Sequence, residues 1–110
     1  MRRTVALAAV LTAALSASSA RAEGFTAAEF LRWSPESRTS YLRSSVSMAG
    51  VIAAQLKKGR ATCIDEWFAK EDRAGYPAVM QAAQKYPNYH PQAVILWVLQ
   101  NACGKITAEE

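Results

Sequence analysis

Between Leu42 and Leu56 the apolar positions Leu42, Val46, Ala49, Ile52 or Ala53, and Leu56 recur at spacings of three and four. That is the period of a helix with one face turned to a core. Ser34-Pro35-Glu36 supplies its start, since a serine hydroxyl caps free amides and proline at the first helical position loses no hydrogen bond. Lys57-Lys58-Gly59 reads as its end, with cations at the negative pole and a C-cap glycine, so this is the longest helix, at about 23 residues. A short helix precedes it. Thr26 is its N-cap, Glu29 sits at N3, Phe25 is positioned to staple onto Phe30, and the helix stops near Trp33.

The same logic yields three more helices. Cys63-Ile64-Asp65-Glu66-Trp67-Phe68 predicts a shorter third helix facing inward through Cys63 or Ile64 and through Trp67 and Phe68, broken by Asp72-Arg73-Ala74-Gly75. Pro77 starts a fourth with Val79, Met80, Ala83 and Tyr86 inward, ended by Pro87. His90 as N-cap and Pro91 at N1 open a fifth, whose Val94, Ile95, Trp97, Val98, Leu99 and Ala102 make it the most apolar and hence the central element, closed by Gly104 and Lys105. No stretch alternates with period two long enough to make a strand. The expected fold is all-α: a small bundle of four to five helices.

The first residues follow a different pattern. Met1-Arg2-Arg3-Thr4 is a charged start, Val5 to Ala17 is an apolar run, and Ala20-Arg21-Ala22 is a small-residue cleavage box. Residues 1–22 are expected to be a secretory signal peptide cut after Ala22, and 23–110 a single helical domain. The apolar run, about 13 residues, is short of the roughly 20 that span a bilayer. The pattern therefore predicts export to the periplasm, with Sec as the default route and the arginine pair leaving the Tat route open.

Charge changes meaning once the leader is set aside. The whole chain carries +4 with a pI of about 9.3, but Arg2, Arg3 and Arg21 belong to the leader. Without them ten Lys+Arg face nine Asp+Glu, a net of +1. Such a domain lacks the single-sign field that draws phosphate backbones or anionic lipid, so no nucleic-acid partner and no membrane association after cleavage is expected.

Candidate chemistry is sparse. Cys63 and Cys103 are the only cysteines, and in an oxidising compartment they are expected to form one structural disulfide tying the third helix to the last. On the chain-entropy model it contributes roughly 4 kcal/mol. His90, the only histidine, has a capping role. Asp65-Glu66 falls near a helix start and Glu71-Asp72 at a helix exit beside Lys70 and Arg73, so both read as solvated, charge-balanced faces. Trp33, Trp67 and Trp97 read mainly as core, with room for one as an exposed binding anchor. Haem-attachment, phosphate-loop and nucleophile-elbow motifs are absent from the sequence. The expectation is a protein that is not an enzyme and takes no cofactor or metal.

Phe25-x-x-x-x-Phe30-Leu31-x-Trp33, Tyr41-Leu42-x-Ser44-Ser45-Val46, Cys63, and Tyr89-His90-Pro91-x-Ala93-Val94-Ile95-Leu96 running to Cys103-Gly104 together resemble the Rap/Tai family. These are periplasmic immunity proteins of type VI secretion, similar in fold to the small acid-stress chaperones of the HdeA kind. Ser34 and Ser40 stand where that family usually carries two further cysteines, and Ser45 where it has glycine. Only Cys63 and Cys103 carry over as matched functional positions. The resemblance implies a protein partner, specifically a periplasmic cell-wall amidase effector that the chain would inhibit. The alternative it implies is an acid-stress chaperone. Oligomeric state stays open, a homodimer among the options.

Overall fold

The computed structural model describes residues 24–106, so the expected signal peptide and its cleavage position Ala22 lie outside the described residues. Five helices make up the described part: α1 (Ala27–Leu31), α2 (Pro35–Leu56), α3 (Lys58–Ala74), α4 (Pro77–Lys85) and α5 (Pro91–Cys103), with no strand among the described residues. The all-α bundle expected from the periodicity is what forms.

The helix starts follow their local chemistry. Thr26 Oγ1 accepts from the Glu29 amide at 3.3 Å, Ser34 Oγ from the Ser37 amide at 3.2 Å, and His90 Nδ1 from the Gln92 amide at 3.0 Å. Each satisfies an amide that the first helical turn leaves without a partner. Two further amides at the start of α1 are bonded by the turn between α4 and α5: Ala27 N donates to the Tyr89 carbonyl at 2.7 Å and Ala28 N to the Pro87 carbonyl at 3.0 Å. Arg38 closes the other end of α1, its Nη1 donating to the carbonyls of Leu31 and Trp33, both at 2.9 Å.

The joint between α2 and α3 differs from the sequence expectation. Gly59 is not a C-cap. α2 ends at Leu56, Lys57 alone makes the reversal at φ −148° and ψ 81°, and Lys58 and Gly59 already lie in the first turn of α3. The third helix is therefore 17 residues long rather than short, and Asp65 and Glu66 fall in its middle. The extra turn is retained because it brings Ala61 against the core just before Ile64, which is fully buried against α2. The break expected over Asp72-Arg73-Ala74-Gly75 falls at the last of these residues. The stop is Gly75, left-handed at φ 82°, a conformation glycine adopts without penalty.

α5 packs against all four other helices and buries Pro91, Val94, Ile95, Val98, Leu99 and Cys103, the central position expected of the most apolar element. The Cys63–Cys103 disulfide joins α3 to its last residue with the two Cα atoms 5.6 Å apart. Beside it, Arg60 Nε donates to the Lys105 carbonyl at 3.1 Å. On α2 the buried positions are Leu42, Val46, Ala49 and Ala53. Of the alternatives Ile52 or Ala53, Ala53 is the one that turns inward, and Leu56, expected inward, is exposed at the last residue of the helix. Trp97 and Ala102 of α5 are exposed as well.

Candidate partner-binding surface

The residues with the most familiar chemistry are absorbed by the fold. His90 caps α5 and presents its ring edge to Phe25 at 5.3 Å. Among the described residues no three His, Cys, Asp or Glu side chains gather as a metal would require, and none of the helices there is long and apolar enough to cross a membrane.

The carboxylates Glu71 and Asp72 depart from the solvated face expected of them. Glu71 is 8 % exposed and its Oε1 accepts from the Ala78 amide at 3.3 Å. It acts as a substitute cap for α4, whose own N-cap, Tyr76, offers no side-chain bond. Tyr76 holds the left-handed backbone region at φ 58°, costly for a non-glycine residue, and is 1 % exposed. Its ring packs against Trp67 and Phe68 and its hydroxyl donates to Asp72 Oδ1 at 2.8 Å. Arg43 of α2 completes the knot with two bonds to the Asp72 carboxylate, at 2.9 and 3.1 Å. Those bonds from Arg43 and from the Tyr76 hydroxyl hold the Asp72 carboxyl below the ordinary carboxylate range, while burial and the hydrogen bond to Asp72 push the Tyr76 phenol up. This junction ties α2, α3 and α4 together. It is structural.

Two large aromatic rings remain accessible. Trp33 and Trp67 pack against the core, but Trp97 is 49 % exposed and Tyr89 61 %. Tyr86 bridges them, with its ring centroid 5.7 Å from Tyr89 and 5.6 Å from Trp97, and Lys85 Nζ lies 5.6 Å over its face. Trp97 forms a ridge between two hollows. One, of about 270 Å³, is lined by Tyr86, Tyr89, Ala93, Val94 and Trp97. The other, of about 440 Å³, continues past Trp97 to Trp67, Gln81 and Asn101, and Lys85 is its one charged lining residue. No carboxylate lines either hollow, whose surfaces are aromatic and amide-edged. Tyr and Trp in shallow pockets are the side chains that anchor protein interfaces, since they bury large area at low entropic cost.

Tyr86 packs partly buried against the core, the inward position expected of it, whereas Tyr89 was not legible as surface, because a tyrosine beside a proline turn fits packing equally well. A signal for Trp97 did exist. α5, PQAVILWVLQNAC, is apolar nearly all round, and a helix with neighbours on only part of its circumference must leave some of that perimeter in water. Leu96 and Trp97 are the part left over.

The chain matches no family model, no curated protein and no solved structure.

Proposed function

We propose that this is a small exported protein that acts by binding another protein through the Tyr86–Tyr89–Trp97 face, and that the binding is immunity-type inhibition of a cell-wall amidase effector. The single observation that carries the reading is a ridge of exposed aromatic rings, without carboxylates, on an otherwise well-satisfied fold. No buried side-chain nitrogen or oxygen among the described residues lacks a hydrogen-bond partner, so the buried polar chemistry is committed to the fold, while Tyr89 and Trp97 face out. The resemblance to Rap/Tai immunity proteins supplies the partner class. The test is co-expression with an amidase encoded beside this chain's gene. Cells should be protected from lysis, and Trp97→Ala with Tyr89→Ala should remove protection without loss of helicity. Lysis despite a folded wild-type chain refutes the reading.

A second reading, an acid-stress chaperone, is favoured by the Asp72 junction. The attachment of α4 to α2 and α3 depends there on an ionised carboxylate. With every carboxyl protonated, residues 23–110 would carry eleven positive charges from ten Lys+Arg and His90, and self-repulsion would then favour expansion and exposure of apolar surface. Retention of the near-ultraviolet circular dichroism at pH ~2, together with failure to suppress aggregation of a client protein there, would dispose of it.

A further inference from the structure

The smaller hollow beside Trp97 has a wall chemistry of its own. Tyr86, Tyr89 and Trp97 line it together with Ala93 and the buried Val94, and none of these side chains is charged. The rings do not hide one another. Tyr89 stands at 48° to Tyr86 and Trp97 at 68°, with centroids 5.7 and 5.6 Å away. Parallel stacking would cover the ring faces, whereas these tilts make the rings the walls of an open corner.

A ring face is the negative side of the aromatic quadrupole. Three rings around one hollow therefore make a site of negative potential without a carboxylate, and such a site takes a cation. Lys85 shows the preference next door. Its Nζ lies 5.6 Å from the Tyr86 ring centroid, inside the reach of about 6 Å over which a cation and a ring attract. Lys85 lines the larger hollow and not the smaller one, so the smaller has no lining cation of its own.

The kind of cation follows from the acceptors. A primary ammonium carries three N–H donors and a guanidinium five, and a donor taken out of water without an acceptor is costly. The side chains of this hollow offer only the phenol oxygens of Tyr86 and Tyr89. A quaternary ammonium has no N–H, and its charge is spread over methyl groups that pack against rings and against Ala93 and Val94. Size points the same way, since about 270 Å³ falls below the ~300–1,000 Å³ of pockets that take drug-sized molecules and suits a trimethylammonium head. From this geometry we infer that the Tyr86–Tyr89–Trp97 hollow is an aromatic cage for a free, choline-like quaternary ammonium solute. A phosphocholine lipid headgroup fits less well, because no residue lining the hollow is a cation that would hold its phosphate. The cage shares its rings with the protein-binding proposal and does not rest on it, since the chain would hold the solute with no partner present.

Titration of the purified, oxidised protein with choline chloride at constant ionic strength, followed by the Ala93 amide and Trp97 indole signals in proton–nitrogen NMR spectra, tests the cage. Both signals should shift saturably, with a Kd in the millimolar range. Two analogues isolate the cause: dimethylbutanol, in which carbon replaces the choline nitrogen, and ethanolamine, which keeps the charge but adds N–H donors. Each should bind at least about tenfold more weakly than choline. Tyr89→Leu and Trp97→Leu keep apolar bulk and remove a ring, and each should weaken choline at least about fivefold, read at Ala93, with unchanged far-ultraviolet dichroism. The absence of a saturable shift overturns the inference, as does equal binding of either analogue, a choline affinity untouched by both substitutions, or binding to phosphatidylcholine vesicles without binding to choline. Every arm is read on this chain alone, so failure here leaves the amidase test standing, and failure there leaves the cage.

Discussion

The turn from Tyr86 to His90 separates two aromatic clusters that the fold treats in opposite ways. On one side Phe25, Phe30, Trp33 and Tyr41 interlock, with Phe25 stacked on Trp33 at 5.2 Å and Phe30 tilted against Tyr41 at 5.4 Å. On the other, Tyr86, partly buried against the core, meets Tyr89 and Trp97 at similar distances, and those two rings stay open to water. Only the first cluster holds phenylalanine, and only the first is closed by a segment of its own: α1 and its flanks supply Phe25, Phe30 and Trp33 and shut them over Tyr41, fastened to the turn by the carbonyls of Pro87 and Tyr89 and at the far end by Arg38. The turn thus spends its carbonyls on one side and shows its rings on the other. Aromatic side chains become core when something polar holds a lid over them, and become surface where nothing does.

That contrast is broken most forcefully at Phe30, which is 1 % exposed. Phe30→Ala should cost about 3–5 kcal/mol in urea unfolding, because Trp33 and Tyr41 cannot collapse into the space while α1 is pinned at both ends. A cost under about 1 kcal/mol would mean that the first cluster is as dispensable as the second.

Opening the disulfide tests whether the two clusters share one support. Cys63–Cys103 anchors the end of α5 furthest from the turn, so the double substitution Cys63→Ser and Cys103→Ser should cost about 2–5 kcal/mol while leaving both ring clusters assembled in the folded fraction. Thermal unfolding with and without reductant measures the first part, and near-ultraviolet dichroism of the folded state the second.

Arg38 addresses the lid alone. Arg38→Ala removes the donor to the Leu31 and Trp33 carbonyls and should cost about 1–3 kcal/mol. Hydrogen exchange should rise in α1 first and leave α4 unchanged. Uniform loss of protection would show that α1 is no separate lid.

Acid should act on the two regions unequally. The lid is held by a guanidinium on backbone carbonyls, which do not titrate, whereas α4 beneath the exposed cluster is held through Asp72. Since the folded state holds the Asp72 carboxyl below its ordinary value, its stabilising contribution is complete above that ordinary value and disappears as pH falls through the depressed one. The Tyr76 phenol is raised, so its contribution persists below its ordinary value of 10.0 and is lost on the alkaline side. Asp72→Asn should flatten the acid limb of stability against pH, and Tyr76→Phe the alkaline limb. Equal acid sensitivity of wild type and Asp72→Asn would remove the junction from the account.

Much of this was legible in the chain, for reasons that are local. Thr26, Ser34-Pro35 and His90-Pro91 announce helix starts because capping is decided within four residues, and the two cysteines had only each other. The misreadings come from tertiary choices. Lys57-Lys58-Gly59 has every mark of a helix end, yet the fold places the reversal at Lys57 so that Ala61 reaches the core. Glu71 and Asp72 resemble any exposed acidic pair until α4 turns its amides and Tyr76 toward them. Tyr76 carries no sequence mark of a left-handed residue, and only the preceding Gly75 hints that the chain turns there. The exposure of Leu56 escaped because spacing specifies a face and not how far along that face a neighbour extends.

Trp97 closes the comparison with the smallest expected effect on folding. A tryptophan in a core costs about 3–5 kcal/mol when cut to alanine. Trp97 already keeps half its surface in water and lines two open hollows rather than a packed interior, so Trp97→Ala should shift stability by no more than about 1 kcal/mol. Binding of the proposed amidase partner should nevertheless weaken by about 2 kcal/mol or more, roughly thirtyfold in Kd by calorimetry. This split between folding and binding is the quantitative form of the difference between the clusters, since Phe30→Ala must show the reverse. If Trp97→Ala destabilises the chain as severely as Phe30→Ala does, the ridge belongs to the core and the open face has lost its reason for being there.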